Sequence, residues 1–174
     1  MKILTLSGSP SSSSSNARML TALSKISNDH TFVRAESLSE LPVYTPDLDV
    51  APWPPQVLSW RQQVRSSDAL IVSTPAYLHN IPAMLKNALE WLTTSGELDG
   101  KRTLAFTYTP HPPRGEEAMT SLLWSLKALN ANIVVQCPLY QNELVLNARE
   151  ELEGEESIDV IKEAIALLLS LIHI

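Results

Sequence analysis

The sequence predicts an α/β protein: a three-layer sandwich in which helices cover both faces of a five-stranded parallel sheet of order 2-1-3-4-5. Three observations carry that expectation. Short apolar or β-branched runs alternate five times with stretches whose apolar residues recur at helical spacing, which is the pattern of a parallel sheet covered by helices. The 174 residues, 44% of them hydrophobic and 18% charged, suit a single domain spanning residues 1–174 with a substantial core. No internal repeat or low-complexity tail breaks the alternation.

The elements follow in order. Residues 2–7 form the first strand, and Met19, Leu20, Leu23 and Ile26 mark the helix after it. Residues 31–36 alternate in character, as an edge strand does. A connection rich in proline (Pro42, Pro46, Pro52, Pro54, Pro55) excludes helix or strand interiors, so an ordered surface loop is expected there. A helix then starts near Pro54 and Pro55, with Val57, Trp60 and Val64 on one side. The run Ala69, Leu70, Ile71, Val72, Ser73 reads as a buried parallel strand. After a loop over 74–82, Leu85, Ala88, Leu89 and Leu92 fall at i, i+3, i+4 and i+7, with Pro82 at the helix opening. Residues 101–107 give the fourth strand. Met119, Leu122, Leu123 and Leu126 give the fourth helix. Ile133, Val134 and Val135 form a short fifth strand. Carboxylates between Glu150 and Glu156 favour the N-terminus of a last helix, whose apolar run over 164–172 suits a core or subunit contact.

Composition narrows the function. A net charge of -6 argues against a general nucleic-acid or anionic-membrane surface, although an anion site built of backbone N–H groups needs no net positive charge. A lone cysteine, Cys137, makes no internal disulfide, and no leader or membrane-length apolar run appears, so a cytoplasmic protein is expected. No residue spacing suggests a metal site, and Cys137 reads as a small buried apolar side chain.

In an open sheet of this order, the flavodoxin-like arrangement, ligands bind where the strand order reverses, between strands 1 and 3. The loops that meet there are the two unusual stretches of the chain, the polyserine run over residues 8–16 and the loop over 74–82. A loop between a strand and a helix N-terminus offers unpaired N–H groups and a positive dipole end. Serine hydroxyls add donors, and Asn16 is placed to cap the helix or reach a phosphate oxygen. One glycine, Gly8, and no lysine make this neither a Walker loop nor a glycine-rich dinucleotide loop.

These residues carry a family resemblance. Gly8 and Ser9 followed by Ser14 and Asn16 resemble the G-S-x-R-x-x-S-x-N stretch of NAD(P)H-dependent FMN reductases. Thr74, Pro75, Tyr77, Ile81 and Pro82 are similar to that family's T-P-E-Y-N-x-x-I-P, and residues 85–91 to its L-K-N-A-I-D-W. The likeness is close over about residues 2–92. It implies that Ser9, Ser11, Ser14, Ser15 and Asn16 hold the FMN phosphate. It implies further that Pro75, Ala76, Tyr77 and Leu78 line the isoalloxazine, with Thr107 and Thr109, after strand 4, on its other side. It implies hydride transfer from NADPH or NADH to flavin N5 and on to a quinone, azo compound, flavin or similar small acceptor, with no catalytic side chain of the protein's own. A homodimer or homotetramer is also implied, with contacts at the third helix and around Tyr44. The chain departs from the pattern in three places. Ser11 stands where the family has Arg, Ala76 and Leu78 replace Glu and Asn, and residues 108–115 bring three prolines and His111 in place of a glycine-rich loop. An electron-carrying flavodoxin, or a scaffold of the same fold without flavin, is the alternative reading. A carrier normally shows a T-x-T-G-N-T type loop, which is absent here. His79 and His111 are candidates to border the flavin, Arg114 to meet a 2′-phosphate, and Trp91 and Trp124 read as core or interface residues.

Overall fold

Five parallel strands form one sheet in the order β2-β1-β3-β4-β5 in a computed structural model that describes residues 1–27 and 29–170. The strands are β1 (Lys2–Ser7), β2 (Thr31–Arg34), β3 (Ala69–Thr74), β4 (Arg102–Thr109) and β5 (Asn132–Tyr140). The helices between them are α1 (Ser15–Ile26), α2 (Pro55–Arg65), α3 (Ala83–Glu90), α4 (Glu116–Ala128) and α5 (Glu155–Leu169). The sheet order and the alternation agree with the expectation from sequence. Leu171 and Ile172 of the expected last helix lie outside the described residues.

Alternation along each strand divides the core into two layers. Leu4, Leu6, Leu70, Val72 and Ala105 face α2, α3 and α4 through Trp60, Leu85, Leu89 and Leu122. Ile3, Ile71, Leu104 and Phe106 face α1 and α5 through Met19, Leu23, Ile161 and Ile165. β3 is buried along its full length, because both its faces are covered.

Two strands differ from the sequence reading. β4 runs on to Thr109, so Thr107 and Thr109 lie inside the strand rather than after it. β5 extends from three expected residues to nine, through Gln136 and Pro138. As the sheet's edge it needs no outward N–H, so proline is tolerated and the polar residues face outward. Trp91 is buried, as expected, whereas Trp124 on α4 is 70% exposed and belongs to no core.

The proline-rich connection is pinned by α3 and α2. Asn87 accepts from the Tyr44 N–H (2.7 Å) and donates to the Pro42 carbonyl (3.0 Å), and the Trp91 indole donates to the same carbonyl (2.7 Å). One helical turn thus separates two clamps, which explains an Asn and a Trp four residues apart. Further along, the buried Arg61 reaches Asp49 at 2.7 Å, and Thr94 and Trp53 also donate to that carboxylate. Burial opposes ionisation of Asp49. The hydrogen bonds from Thr94 and Arg61, with the Arg61 charge, outweigh it and hold its pKa below the ordinary 3.8.

Candidate functional site

At the carboxyl edge of β1 the chain turns at Gly8, whose N–H donates to the Ser73 carbonyl at 2.7 Å. A Cβ on Gly8 would stand 2.7 Å from Leu85 Cδ2 and 2.9 Å from Thr74 Oγ1, so only glycine lets this loop pack against β3 and α3. The loop then folds on its own hydroxyls. Ser9 Oγ, buried, accepts from the Ser11 N–H (3.3 Å), Ser11 and Ser13 share a hydroxyl hydrogen bond (3.2 Å), and Ser14 Oγ caps α1 by accepting from the Ala17 N–H (3.1 Å). Among the described residues, the N–H groups of Ser12, Ser13, Ser15 and Asn16 meet no protein acceptor. Those donors at a helix N-terminus suit a phosphate.

Asn16 is placed differently from the sequence reading. Its amide is 1% exposed, accepts from the Ser73 hydroxyl at 2.7 Å and donates to the Tyr108 carbonyl at 3.2 Å. The side chain therefore ties α1 to β3 and β4, with one amide N–H in use and the whole side chain buried. Ser14 takes the cap instead. Ser15 Oγ accepts from Gln141 Nε2 at 3.0 Å and keeps its own proton to donate. Gln141 follows β5 and nothing local in the sequence marks it. Its position just past a strand's carboxyl end is the one available signal.

The loop after β3 closes on itself as a two-residue hairpin tip. Tyr77 and Asn80 exchange N–H···O bonds of 2.9 Å in both directions, and Leu78 and His79 between them have φ of 51° and 62°. Leucine at a left-handed position is unusual, and its side chain is 98% exposed. Ala76 is buried, Pro75 half-buried, and Tyr77 stands at the surface.

Opposite this tip, residues 110–115 lead into α4. Gly115 has φ of 107°, and a Cβ there would come within 3.0 Å of Thr107 Oγ1 and Thr109 Cγ2. This loop lies directly on the two threonines. Thr109 Oγ1 donates to the Arg114 carbonyl (2.5 Å), and Thr107 Oγ1 is buried with no partner among the described residues. Both are closed off beneath the loop in this structure. Between the two loops is a cavity of about 390 Å³, with Ala76, Leu78 and His79 on one wall and His111, Arg114 and Glu117 on the other. His79 Nδ1 approaches Glu117 Oε2 to 3.5 Å across it. The Glu117 carboxyl is held below its ordinary range by its own backbone N–H first, then by His79.

The structure thus brings together residues 9–16, residues 75–79 and the 110–117 segment at one sheet edge. The N–H donors at α1 suit an anion such as a phosphate, and the cavity between the two loops is lined by both apolar and charged side chains. No three His, Cys, Asp or Glu side chains converge as a metal site requires among the described residues, and no helix among them is long and apolar enough to cross a membrane.

Comparison with known proteins adds a family and a fold. The model of the family described as NADPH-dependent FMN reductase matches residues 1–142. No curated protein matches the sequence. Among solved structures, FerB, a flavoenzyme NAD(P)H:(acceptor) oxidoreductase from Paracoccus denitrificans, is similar with a TM-score of 0.79 and 22% identity over 96% of this chain and 94% of its own. The apo form of an NADH:FMN oxidoreductase, EmoB, gives a TM-score of 0.72 and 20% identity over 96% and 87%. Oxidised flavodoxin 1 from Bacillus cereus gives 0.63 and 12% identity over 99% and 100%. At these identities the likeness is one of fold.

Proposed function

The chain belongs to the NADPH-dependent FMN reductase family, and from that premise we propose that it is an FMN-dependent oxidoreductase carrying hydride from NADPH or NADH to a small acceptor such as a quinone, an azo compound or a flavin. The observation that supports this reading most is the meeting of unpartnered N–H donors at the start of α1 with the cavity between the loops after β3 and β4. When bound, FMN supplies a ring that takes up hydride at N5 and gives up electrons to the acceptor.

The chain's own residues bind, orient and shield. The N–H groups of Ser15 and Asn16 and the hydroxyls of Ser11 and Ser15 hold the phosphate. Ser9 and Ser14 act one step back, because their oxygens shape the loop and cap the helix. The backbone of Pro75, Ala76, Tyr77 and Leu78 forms one wall for the ring, and its hairpin tip holds that wall in shape. The loop bearing Gly115 covers Thr107 and Thr109, so contact of those two residues with the ring requires the loop to lift. A homodimer or homotetramer with contacts at α3 and around Tyr44 belongs to the same reading, on the strength of the family resemblance alone.

The test is the absorption spectrum of the purified protein after incubation with FMN, then NADPH oxidation with a quinone acceptor. Uptake of FMN, anaerobic bleaching by NADPH and turnover with quinone are expected. A protein that takes up no FMN overturns the reading. One that binds FMN but is not reduced by NADPH or NADH is an electron carrier instead.

A further inference from the structure

We propose that Arg34, the last residue of β2, is a phosphate-binding residue, and that its guanidinium supplies the positive charge the polyserine loop lacks. The inference rests on the flavin reading above. From Ser7 to Ala17 the loop carries no cationic side chain, and the chain as a whole has a net charge of -6. A phosphate monoester brings a charge of about −1.5 to −2 near neutral pH. N–H groups and hydroxyls orient such a group, but a guanidinium nearby adds charge-assisted bonds to its oxygens.

Arg34 is the cation that reaches the loop. Its Nη2 donates to the Ser12 carbonyl at 3.1 Å, which lays the guanidinium against residues at the threshold of α1. The rest of its five N–H donors meet no acceptor among the described residues, and no carboxylate lies within ion-pair distance of it there. Glu36, two residues on, also borders the crevice; its carboxylate accepts from Ser59 Oγ at 2.9 Å and remains an anion there, so the Arg34 guanidinium is the group that offsets it. Arg18, the other arginine near the loop, is engaged elsewhere. It donates to the Asn147 carbonyl at 3.3 Å and lies 3.6 Å from Glu150.

The position is fixed by the sheet. Arg34 pairs in register with Thr5 of β1, and the Ala35 N–H donates to the Thr5 carbonyl at 2.9 Å, so the arginine stands beside the strand that feeds the loop. Ser9, Ser12 and Arg34 border one solvent-open crevice of about 160 Å³ on the β2 side of the loop, so the guanidinium must swing from there toward the N–H donors at the start of α1 to meet the phosphate. Its planar fork allows bidentate contact, which an ammonium does not offer.

The experiment titrates apo-protein with FMN and with riboflavin, which lacks the phosphate, for wild type, Arg34→Ala and Arg34→Lys, at two salt concentrations. Arg34→Ala is expected to raise the FMN Kd about tenfold or more, leave the riboflavin Kd within about twofold, and flatten the salt dependence. Arg34→Lys should recover part of the loss. Unchanged FMN affinity in Arg34→Ala overturns the proposal, as does equal weakening of both flavins. So does a higher KM for NADPH, but not NADH, with the FMN Kd unchanged, because the arginine then serves the nicotinamide nucleotide. Wild-type protein that binds no FMN overturns the flavin reading and the proposal with it, whereas wild type that binds FMN no better than riboflavin overturns the proposal alone.

Discussion

Replacing Asn16 with alanine is expected to weaken the sheet before it weakens any ligand. The Asn16 amide makes two hydrogen bonds, from the Ser73 hydroxyl at 2.7 Å and to the Tyr108 carbonyl at 3.2 Å, at a site that is 1% exposed. The substitution strands the Ser73 hydroxyl, at a cost of about 1–3 kcal/mol for an unsatisfied buried group, and loses about 1 kcal/mol net for the second bond. The sum is about 2–4 kcal/mol, and at about 2–4 °C per kcal/mol for a domain of this size Tm should fall by roughly 5–15 °C. Urea and thermal unfolding of the flavin-free protein measure it. The double variant Asn16→Ala, Ser73→Ala should recover part of the loss, since no hydroxyl is then left stranded. If the single variant unfolds within about 2 °C of wild type while the FMN Kd rises about tenfold, the amide serves the phosphate and the reasoning is refuted.

Other perturbations follow from the same structure. Leu78→Asn should stabilise the protein by about 1 kcal/mol, because asparagine tolerates the φ of 51° and the leucine side chain is 98% exposed; a lower Tm would count against strain at the tip. Asp49→Ala leaves the buried Arg61 guanidinium without its carboxylate and should cost about 3–5 kcal/mol in urea unfolding. Since Asp49 ionises below 3.8, the stability its carboxylate contributes is present above that pH and fades as pH falls further; a loss no steeper in wild type than in Asp49→Asn would contradict the assignment. Burial pushes the Cys137 thiol up to about 11 from an ordinary 9.0, so thiol reagents should label it slowly at pH 8 and faster with each unit above. Its contribution to stability is full below pH 9.0 and is lost as pH rises toward about 11; labelling at the rate of a free thiol at pH 8 would show the site is open.

Much of the site was legible because its loops are set by local chemistry. The prolines of the loop over 74–82 and the polyserine run ahead of α1 act within a few residues of where they stand, whereas the cap on α1 falls to Ser14 instead of Asn16 and the clamp of Asn87 and Trp91 reaches Pro42 across 45 and 49 residues. The family resemblance implies Thr107 and Thr109, after strand 4, at the ring's edge. In fact β4 continues, and the segment carrying Gly115 folds back over both. The nine-residue β5 was illegible for a related reason. Gln136 and Pro138 look like strand breakers until the edge position makes their polarity and missing N–H harmless.

The sequence by itself determined the strand and helix alternation, the two covered faces of the sheet and the pair of loops that meet at its carboxyl edge, because hydrophobic periodicity states which side of each element is buried. Tertiary structure alone decided what the polar side chains do. Asn16 meets Ser73 and Tyr108 across 57 and 92 residues of chain, and Arg34 reaches Ser12 across 22. A hydrogen-bonding group carries no mark of its partner in the sequence; the partner is set by which strand ends the sheet order brings side by side.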